Sequence, residues 1–221
     1  MVDQYYFEYG ASEIGWLKSR DSVLGSAIDE IGHIFRPVMP NLFEALVHSI
    51  VGQQISTRAH ATVWSRIVGL VEPFTPDRIA VLPVEELQKC GISMRKALYI
   101  KEAADSVSNG RLDLDTLNEL PDSEVCNRLR EIKGIGVWTA EMLMTFSMQR
   151  PDIISWDDLA IHRGLRMLYR HRKITHELFA KYRRRYSPYG TVASLYLWAI
   201  AGGACPALTD PAQKKTKKLI N

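Results

Sequence analysis

The chain of 221 residues has few cysteines, little net charge and no long hydrophobic segment. Its three cysteines, Cys90, Cys126 and Cys205, are odd in number and far apart, so they predict neither a disulfide framework nor a metal site. The six histidines do not complete a ligand set. No apolar run is long enough to span a bilayer, and the first residues lack the pattern of a signal peptide. We therefore expect a reduced, intracellular protein of the cytoplasm or nucleoid.

Positive and negative charges nearly cancel in this chain. The 28 Lys and Arg residues exceed the 25 Asp and Glu residues by only three. Such a small excess permits nucleic-acid binding but does not by itself indicate it. The basic residues are more informative where they cluster, although each cluster also fits a solvated helix face or tail. One block is Lys181, Arg183, Arg184 and Arg185, and the other is Lys214, Lys215, Lys217 and Lys218.

Signals for β-strands are also missing. No segment alternates apolar and polar residues convincingly over the length of a strand, and no hairpin turn is evident. Apolar residues instead recur at three- and four-residue spacing, for example after the helix caps Asn41 and Ser56. The sequence therefore predicts an all-α fold. We expect residues 1–221 to form one unit with two helical lobes, lobe A at 41–156 and lobe B at 1–40 plus 157–221.

The most specific pattern is the segment LREIKGIGVWTAEMLMTF at residues 129–146. An apolar helix is predicted to end at Ile132, Gly134 and Gly136 allow a tight turn, and a second helix follows. A Gly-x-Gly pair alone is usually a helix C-cap and a turn. Here small residues also occur where the two helices must pack closely. The segment predicts a helix-hairpin-helix at about 123–148, whose exposed amides suit a DNA phosphate.

Two acidic residues, Asp157 and Asp158, follow the hairpin at the predicted start of another helix. Taken alone, they are typical of a helix N-cap and a first-turn acid. Because the hairpin lies just upstream, they are also a candidate for chemistry, and we assign the capping role to Asp157.

These motifs resemble the helix-hairpin-helix base-excision DNA glycosylases, the HhH-GPD superfamily, and in particular the 3-methyladenine DNA glycosylase II (AlkA-like) branch. The similarity covers about residues 41–198. It rests on IVGQQIS at 50–56, the hairpin with WTA at 138–140, the acids at 157–158, and Pro188-Tyr189 ahead of Trp198. The resemblance implies two helical lobes with a cleft between them. Longer members carry a β-rich N-terminal domain, which we do not expect here.

Two departures from relatives similar to endonuclease III narrow the expected chemistry. Those enzymes use a Schiff-base lysine where this chain has Trp138, so the resemblance implies a monofunctional glycosylase without lyase activity. They often hold an iron–sulfur cluster on four C-terminal cysteines, whereas this chain has only Cys205 in that region. No cofactor is expected to be required. The resemblance does allow a sodium or potassium ion on the backbone carbonyls of Arg130, Ile132 and Ile135.

The resemblance also implies roles for individual residues. Asp158 matches the catalytic aspartate, whose carboxylate either stabilises the positive charge that develops on the sugar when an N-glycosidic bond breaks or helps to orient a water molecule on that sugar. Gln54 matches the wedge that fills the space left by an extruded nucleotide, although a glutamine that caps the next helix is the alternative. Several residues each are expected to form the base pocket and the DNA contacts. Trp138, Tyr189, Met142 and Trp156 are expected to line the pocket, where aromatic faces suit a cationic base, and Lys133, Gly134, Gly136 and Thr139 are expected to join Gln54 in binding DNA.

The function expected from these residues is excision of alkylated purines of the 3-methyladenine type from double-stranded DNA by a monomer, leaving an abasic site. Met142 occupies a position where the family can have tyrosine, so the range of bases is open. The same scaffold could act on uracil, hypoxanthine or mismatched bases. A non-catalytic DNA-binding protein that uses only the hairpin is a further alternative, which the acid beside an aromatic-rich segment disfavours.

Overall fold

The computed structural model describes residues 4–212, and helices dominate this part of the chain. Two short strands, β1 (Tyr5–Tyr6) and β2 (Pro37–Val38), form a two-stranded sheet. A 3-10 helix spans Thr116–Glu119. The helices are α1 (Ala11–Arg20), α2 (Ser22–Ile31), α3 (Leu42–Gly52), α4 (Thr57–Leu70), α5 (Pro76–Val81), α6 (Val84–Lys89), α7 (Met94–Ser108), α8 (Asp122–Arg130), α9 (Val137–Phe146), α10 (Leu159–Tyr169), α11 (His176–Tyr186) and α12 (Gly190–Ala201).

Several helices begin where a side chain caps the first turn. The side chain of Asn41 accepts a hydrogen bond from Glu44 N, and the Ser93 hydroxyl accepts one from Lys96 N. Such caps satisfy amides that have no partner within the helix. Helix α5 begins at Pro76, which fits a first helical position because that amide would be unpaired anyway. The all-α fold predicted from sequence is confirmed, and the strands, at two residues each, are too short for an alternating pattern.

The first compact unit comprises residues 4–5 and 37–149 of the described chain. Helices α3 and α7 lie at its centre: α3 packs against α4, α7 and α9, and α7 also packs against α5 and α6. The side chains of Leu46, Ile50 and Ile100 are fully buried there. Helices α8 and α9 pack against each other, so the predicted hairpin belongs to this unit.

The second unit comprises residues 6–36 and 150–212. Helix α12 is its core, because almost every residue from Gly190 to Ala201 is buried. Helix α10 packs most closely on α12; at Gly164 an added Cβ would overlap the carbonyl of Leu197. Residues 150–156 belong to this unit, which differs from the predicted boundary of lobe A at residue 156.

One predicted basic block is partly structural. Arg185 pairs with the buried carboxylate of Asp21, which also accepts a hydrogen bond from Tyr169. Burial opposes ionisation of Asp21, but hydrogen bonds from Leu24 N, Arg185 and Tyr169 outweigh it and lower its pKa. The other block, at residues 214–218, lies outside the described residues. In the part of the chain that the structure covers, no helix is both long and apolar enough to cross a bilayer.

Candidate functional site

The predicted hairpin is present as α8, a tight turn and α9. Gly134 has a φ of +90°, which favours glycine, and Ile135 N donates to Ile132 O at 3.1 Å. Gly136 caps α9 with extended backbone, and Ala140 N donates to its carbonyl. Both glycines are exposed, whereas Ile132 and Ile135 are buried. The turn therefore holds two apolar anchors in the core and presents exposed backbone at the two glycines.

Gly134 is also required by a close contact with α7. A Cβ added at this position would lie 2.5 Å from Cδ2 of Tyr99, which is closer than real atoms approach. At Gly136 an added Cβ would meet nothing within 4 Å. The two glycines of the motif thus have different structural roles, and only the first has both the left-handed backbone and the crowded surroundings.

The two other hairpin residues predicted to contact DNA, Lys133 and Thr139, differ in their exposure to solvent. Lys133 is exposed, and its Nζ forms an ion pair with Glu102 Oε2 at 3.0 Å. Thr139 is half-buried in the first turn of α9. Glu102, on α7, was not singled out in the sequence analysis, because an acid on a charged helix face is typical of a solvated surface.

Gln54 lies in the loop between α3 and α4, with an exposed side chain and a φ of +57°. The alternative interpretation of Gln54 as the cap of the next helix does not match the structure, since the Ser56 hydroxyl accepts the capping bond from Ala59 N. Gln53 next to it donates from Nε2 to the carbonyl of Gly134 at 2.8 Å. The loop that carries Gln54 is therefore bonded directly to the hairpin turn.

Asp158 is the N-cap of α10. Its Oδ1 accepts hydrogen bonds from Ala160 N at 2.8 Å and Ile161 N at 2.9 Å, and the residue is only 6% exposed. The capping role that the sequence analysis gave to Asp157 thus belongs to Asp158, while Asp157 is exposed. The two bonds fix the orientation of the Asp158 carboxylate on the helix, so capping and a further role of this group are compatible.

Trp138 and Met142 lie four residues apart in α9, so they share one face of that helix. Trp138 is 45% exposed although tryptophan is usually well buried. Met142 is half-buried. The partly exposed ring of Trp138 lies two residues after the second hairpin glycine, in the first turn of α9.

Tyr189 lies in a loop that is held at several points. Trp16 packs edge-on against its ring with centroids 6.3 Å apart, and Trp16 Nε1 donates to Ser187 O. The carboxylate of Asp152 accepts from both Ser187 Oγ and Gly190 N. Trp16 could not be identified from the sequence, because a single tryptophan in an N-terminal helix has no motif around it.

Trp156 belongs to an aromatic cluster of the second unit. Its ring stacks on His176 with centroids 3.6 Å apart, and Phe179 and His162 contact it at steep angles. His162 Nε2 is also 2.8 Å from Trp156 O. These contacts account for Trp156 as a packing residue.

The carbonyls predicted for a monovalent ion lie at the end of α8 and in the turn. The carbonyl of Ile132 accepts the Ile135 amide and, like any carbonyl, has a second lone pair. Among residues 4–212, no group of three or more His, Cys, Asp or Glu side chains is placed to hold a metal ion. All three cysteines are free thiols.

Comparisons with known proteins give one consistent result. The family model for the HhH-GPD superfamily base excision DNA repair protein matches residues 47–188. DNA-3-methyladenine glycosylase 1 of Schizosaccharomyces pombe is 33% identical over 161 residues, which are 71% of each chain. The residues that the family model matches include the loop, the hairpin and the acid described above.

Solved structures agree with the sequence match. A DNA-3-methyladenine glycosidase from Bacillus halodurans superposes with a TM-score of 0.81 at 35% identity, over 91% of this chain and 93% of that one. The Schizosaccharomyces pombe 3-methyladenine DNA glycosylase Mag1 in complex with abasic DNA gives a TM-score of 0.72 at 28% identity, over 87% and 97% of the two chains. The resemblance inferred from the motifs is confirmed: this chain belongs to the HhH-GPD superfamily of base excision DNA repair proteins.

Proposed function

We propose that this protein is a monofunctional DNA glycosylase that removes alkylated purines of the 3-methyladenine type and leaves an abasic site. The observation that carries the proposal is the buried carboxylate of Asp158, held in one orientation at the start of α10. The names of the relatives support the substrate class. The abasic DNA in the Schizosaccharomyces pombe structure is the product that such a reaction leaves.

Asp158 acts on the sugar in this proposal. As the N-glycosidic bond lengthens, positive charge develops on the deoxyribose, and a preorganised carboxylate stabilises it. The two amide hydrogen bonds hold the carboxylate in place, so little reorganisation is needed as the bond breaks. The base departs with the bonding electrons, a water molecule adds to the sugar carbon, and the proton that this water loses passes to solvent. Trp138 has no amine that could form an imine with the sugar, so no strand cleavage is expected.

The alkylated base determines what else the site needs. A purine methylated on a ring nitrogen is already cationic, so it leaves as a neutral base without a general acid. Selectivity then depends on stacking, because a cationic base interacts more favourably with aromatic faces than a neutral one. Trp138 and Tyr189 are the proposed stacking residues, with Met142 as a further contact. Trp156 stays a weaker candidate, since its ring already packs against His176.

DNA is bound through the hairpin in this proposal. The amides of the turn at Gly134 and Gly136 grip a phosphate, with Lys133 and Thr139 as additional contacts. Gln54 enters the space left by the extruded nucleotide. The carbonyls of Arg130, Ile132 and Ile135 are hard oxygen donors of the kind that sodium or potassium prefers, so they fit a cation beside that phosphate. No other cofactor is proposed.

The test compares base release by the wild type and Asp158→Asn on duplexes treated with dimethyl sulfate. Asparagine is as good a helix cap as aspartate, so this change removes the charge and keeps α10 capped. Release should fall at least about a hundredfold, a loss typical of removing a main electrostatic group, while binding to the duplex is retained. Asp157→Asn is the matched control, because this neighbouring acid is exposed and should be dispensable.

Duplexes containing uracil, hypoxanthine or a mismatched thymine define the base range in the same assay. Release from one of these, and none from methylated DNA, would move the activity to that base. Binding without release from any duplex would instead identify a non-catalytic DNA-binding protein. Unchanged release by Asp158→Asn would remove Asp158 from the mechanism.

A further inference from the structure

One side of α7 contacts both DNA-binding elements of the first unit. Lys96, Tyr99 and Glu102 follow one another at three-residue spacing, which places them along one side of the helix. Lys96 bonds to the loop that carries Gln54, and Tyr99 packs on Gly134. Glu102 pairs with Lys133 of the hairpin. Helix α7 therefore connects the loop and the hairpin turn.

The contacts of Lys96 are with the main chain. Its Nζ donates to the carbonyl of Val51 at 2.8 Å and to the carbonyl of Gln53. These groups lie at the C-terminal end of α3, where carbonyls lack partners within the helix and a cation is favourable. Lys96 is half-buried, and burial, together with the nearby Arg95, lowers its pKa. Its ammonium group is therefore directed into the protein at this helix end.

The backbone of the loop needs such support. Gln54 adopts a left-handed conformation with a φ of +57°, which is uncommon for residues other than glycine, asparagine and aspartate. A conformation of this kind persists where the surroundings hold it. The surroundings here are Lys96 on the carbonyl of Gln53 and the Gln53 side chain on the carbonyl of Gly134.

We propose that Lys96 and Gln53 are positioning residues that lock residues 53–56 to the hairpin, so that Gln54 enters the duplex in register with the backbone grip. This inference rests on the proposed function. When either bond is lost, the loop is held less firmly relative to the hairpin. Extrusion of the nucleotide then becomes less efficient, because part of the binding energy is used to order the loop. Binding to undamaged DNA, which needs the hairpin alone, is preserved.

The test uses Lys96→Met, which keeps the length of the side chain and removes its charge and its donors. One readout is single-turnover base release from a duplex treated with dimethyl sulfate. The other is the fluorescence of 2-aminopurine placed beside a tetrahydrofuran abasic-site analogue, which increases when a wedge unstacks it. Release should fall about tenfold, with a smaller fluorescence increase. Binding to undamaged duplex should stay within about twofold of the wild type, since its phosphate contacts are unchanged.

Lys101→Met is the matched control. Lys101 lies on the same helix and likewise donates to carbonyls at a helix end, those of Ile79 and Ala80 at the end of α5. It makes the same kind of contact away from the loop, so its loss should leave extrusion at the wild-type level. Lys96→Arg should restore most of the activity, because guanidinium also donates to carbonyls.

Several results would overturn the inference. Wild-type release and fluorescence in Lys96→Met would do so, even if its melting temperature fell. Weaker binding to undamaged duplex with a shallower salt dependence would show that Lys96 contacts a phosphate directly. If Lys96→Met does not fold, Gln53→Met decides, since it removes only the bond to Gly134. If the wild type releases no methylated base, the proposed function fails, and the fluorescence readout still tests the positioning.

Discussion

At the scale of one residue, Asp158 has an observed capping role and a proposed catalytic role. The sequence has two adjacent acids at a helix start, and it predicts capping for Asp157 and catalysis for Asp158. The structure gives the cap to the buried acid, because only Asp158 has Oδ1 within reach of Ala160 N and Ile161 N. A cap that fixes a carboxylate is also what a preorganised catalytic group needs. The capping bonds of Asp158 could not be predicted, because the sequence offered two adjacent acids for one cap, and the catalytic role of Asp158 stays a prediction.

Gly134 gives the clearest residue-scale prediction. Gly134→Ala should lower the free energy of unfolding by roughly 1–3 kcal/mol, because alanine is strained at a φ of +90° and its Cβ would contact Tyr99. Urea unfolding measures this loss, and duplex binding should weaken with it because the turn is distorted. Gly136→Ser is the control: its backbone is extended, nothing lies within 4 Å, and serine is a good cap. Equal losses in the two variants would contradict this assignment.

At the scale of elements, helix starts were predictable where a cap or proline marks them. Asn41, Ser56 and Thr75 each precede a helix in the sequence and accept the capping bond in the structure. The contacts of α7 with the Gln54 loop and with the hairpin turn were not predictable. Lys96 and Glu102 are charged residues of the kind that usually face solvent. Only the tertiary fold brings them to the loop and the hairpin. Sequence periodicity identifies which helix face is polar but not what that face contacts.

Helices α3 and α4 also contain a histidine pair with a predictable effect on stability. The rings of His48 and His60 lie 4.1 Å apart, and burial, followed by the charge of His60, lowers the pKa of His48 to about 4. The unfolded chain takes up a proton on His48 near pH 6.5, whereas the folded protein does not until about pH 4. Above pH 6.5 His48 therefore does not reduce the free energy of unfolding. As the pH falls toward 4, proton uptake by the unfolded chain lowers that free energy by about 1–2 kcal/mol.

Urea midpoints at pH 7 and pH 5 measure that loss. His48→Gln is the control, because its neutral side chain removes this proton uptake and should reduce the difference between the two midpoints. A pH dependence that is the same in the wild type and the variant would assign the loss to other groups.

For the whole molecule, the low net charge makes local phosphate contacts decisive. A net charge of +3 cannot produce a strong general field, so binding should depend on a few contacts around the hairpin. Duplex affinity should fall steeply with salt, with a logarithmic slope of about −0.9 for each phosphate contacted. Lys133→Ala should make that slope shallower by about one contact. Titrations at several salt concentrations measure the slope, and a Lys133→Ala slope identical to the wild type would exclude a phosphate contact for this residue.

Helical periodicity and the lack of strand signals predicted the helical class of the molecule, and short motifs predicted its family. Chain-wide organisation was harder to predict, because connections such as residues 150–156 lack the glycine- or proline-rich composition that marks a linker. The N-terminal helices α1 and α2 also lacked any functional motif. Trp16 and Asp21 on that segment became visible only through their contacts with Tyr189, Tyr169 and Arg185.

The bonds from Lys96 to main-chain carbonyls have one more consequence. Every amino acid has the same carbonyl, so the anchorage does not depend on which side chain occupies position 54. Asparagine or glycine, which tolerate the local backbone angles, could replace Gln54 while the loop keeps its shape. The side chain at position 54 can therefore change during evolution or engineering while the backbone of the loop keeps its conformation.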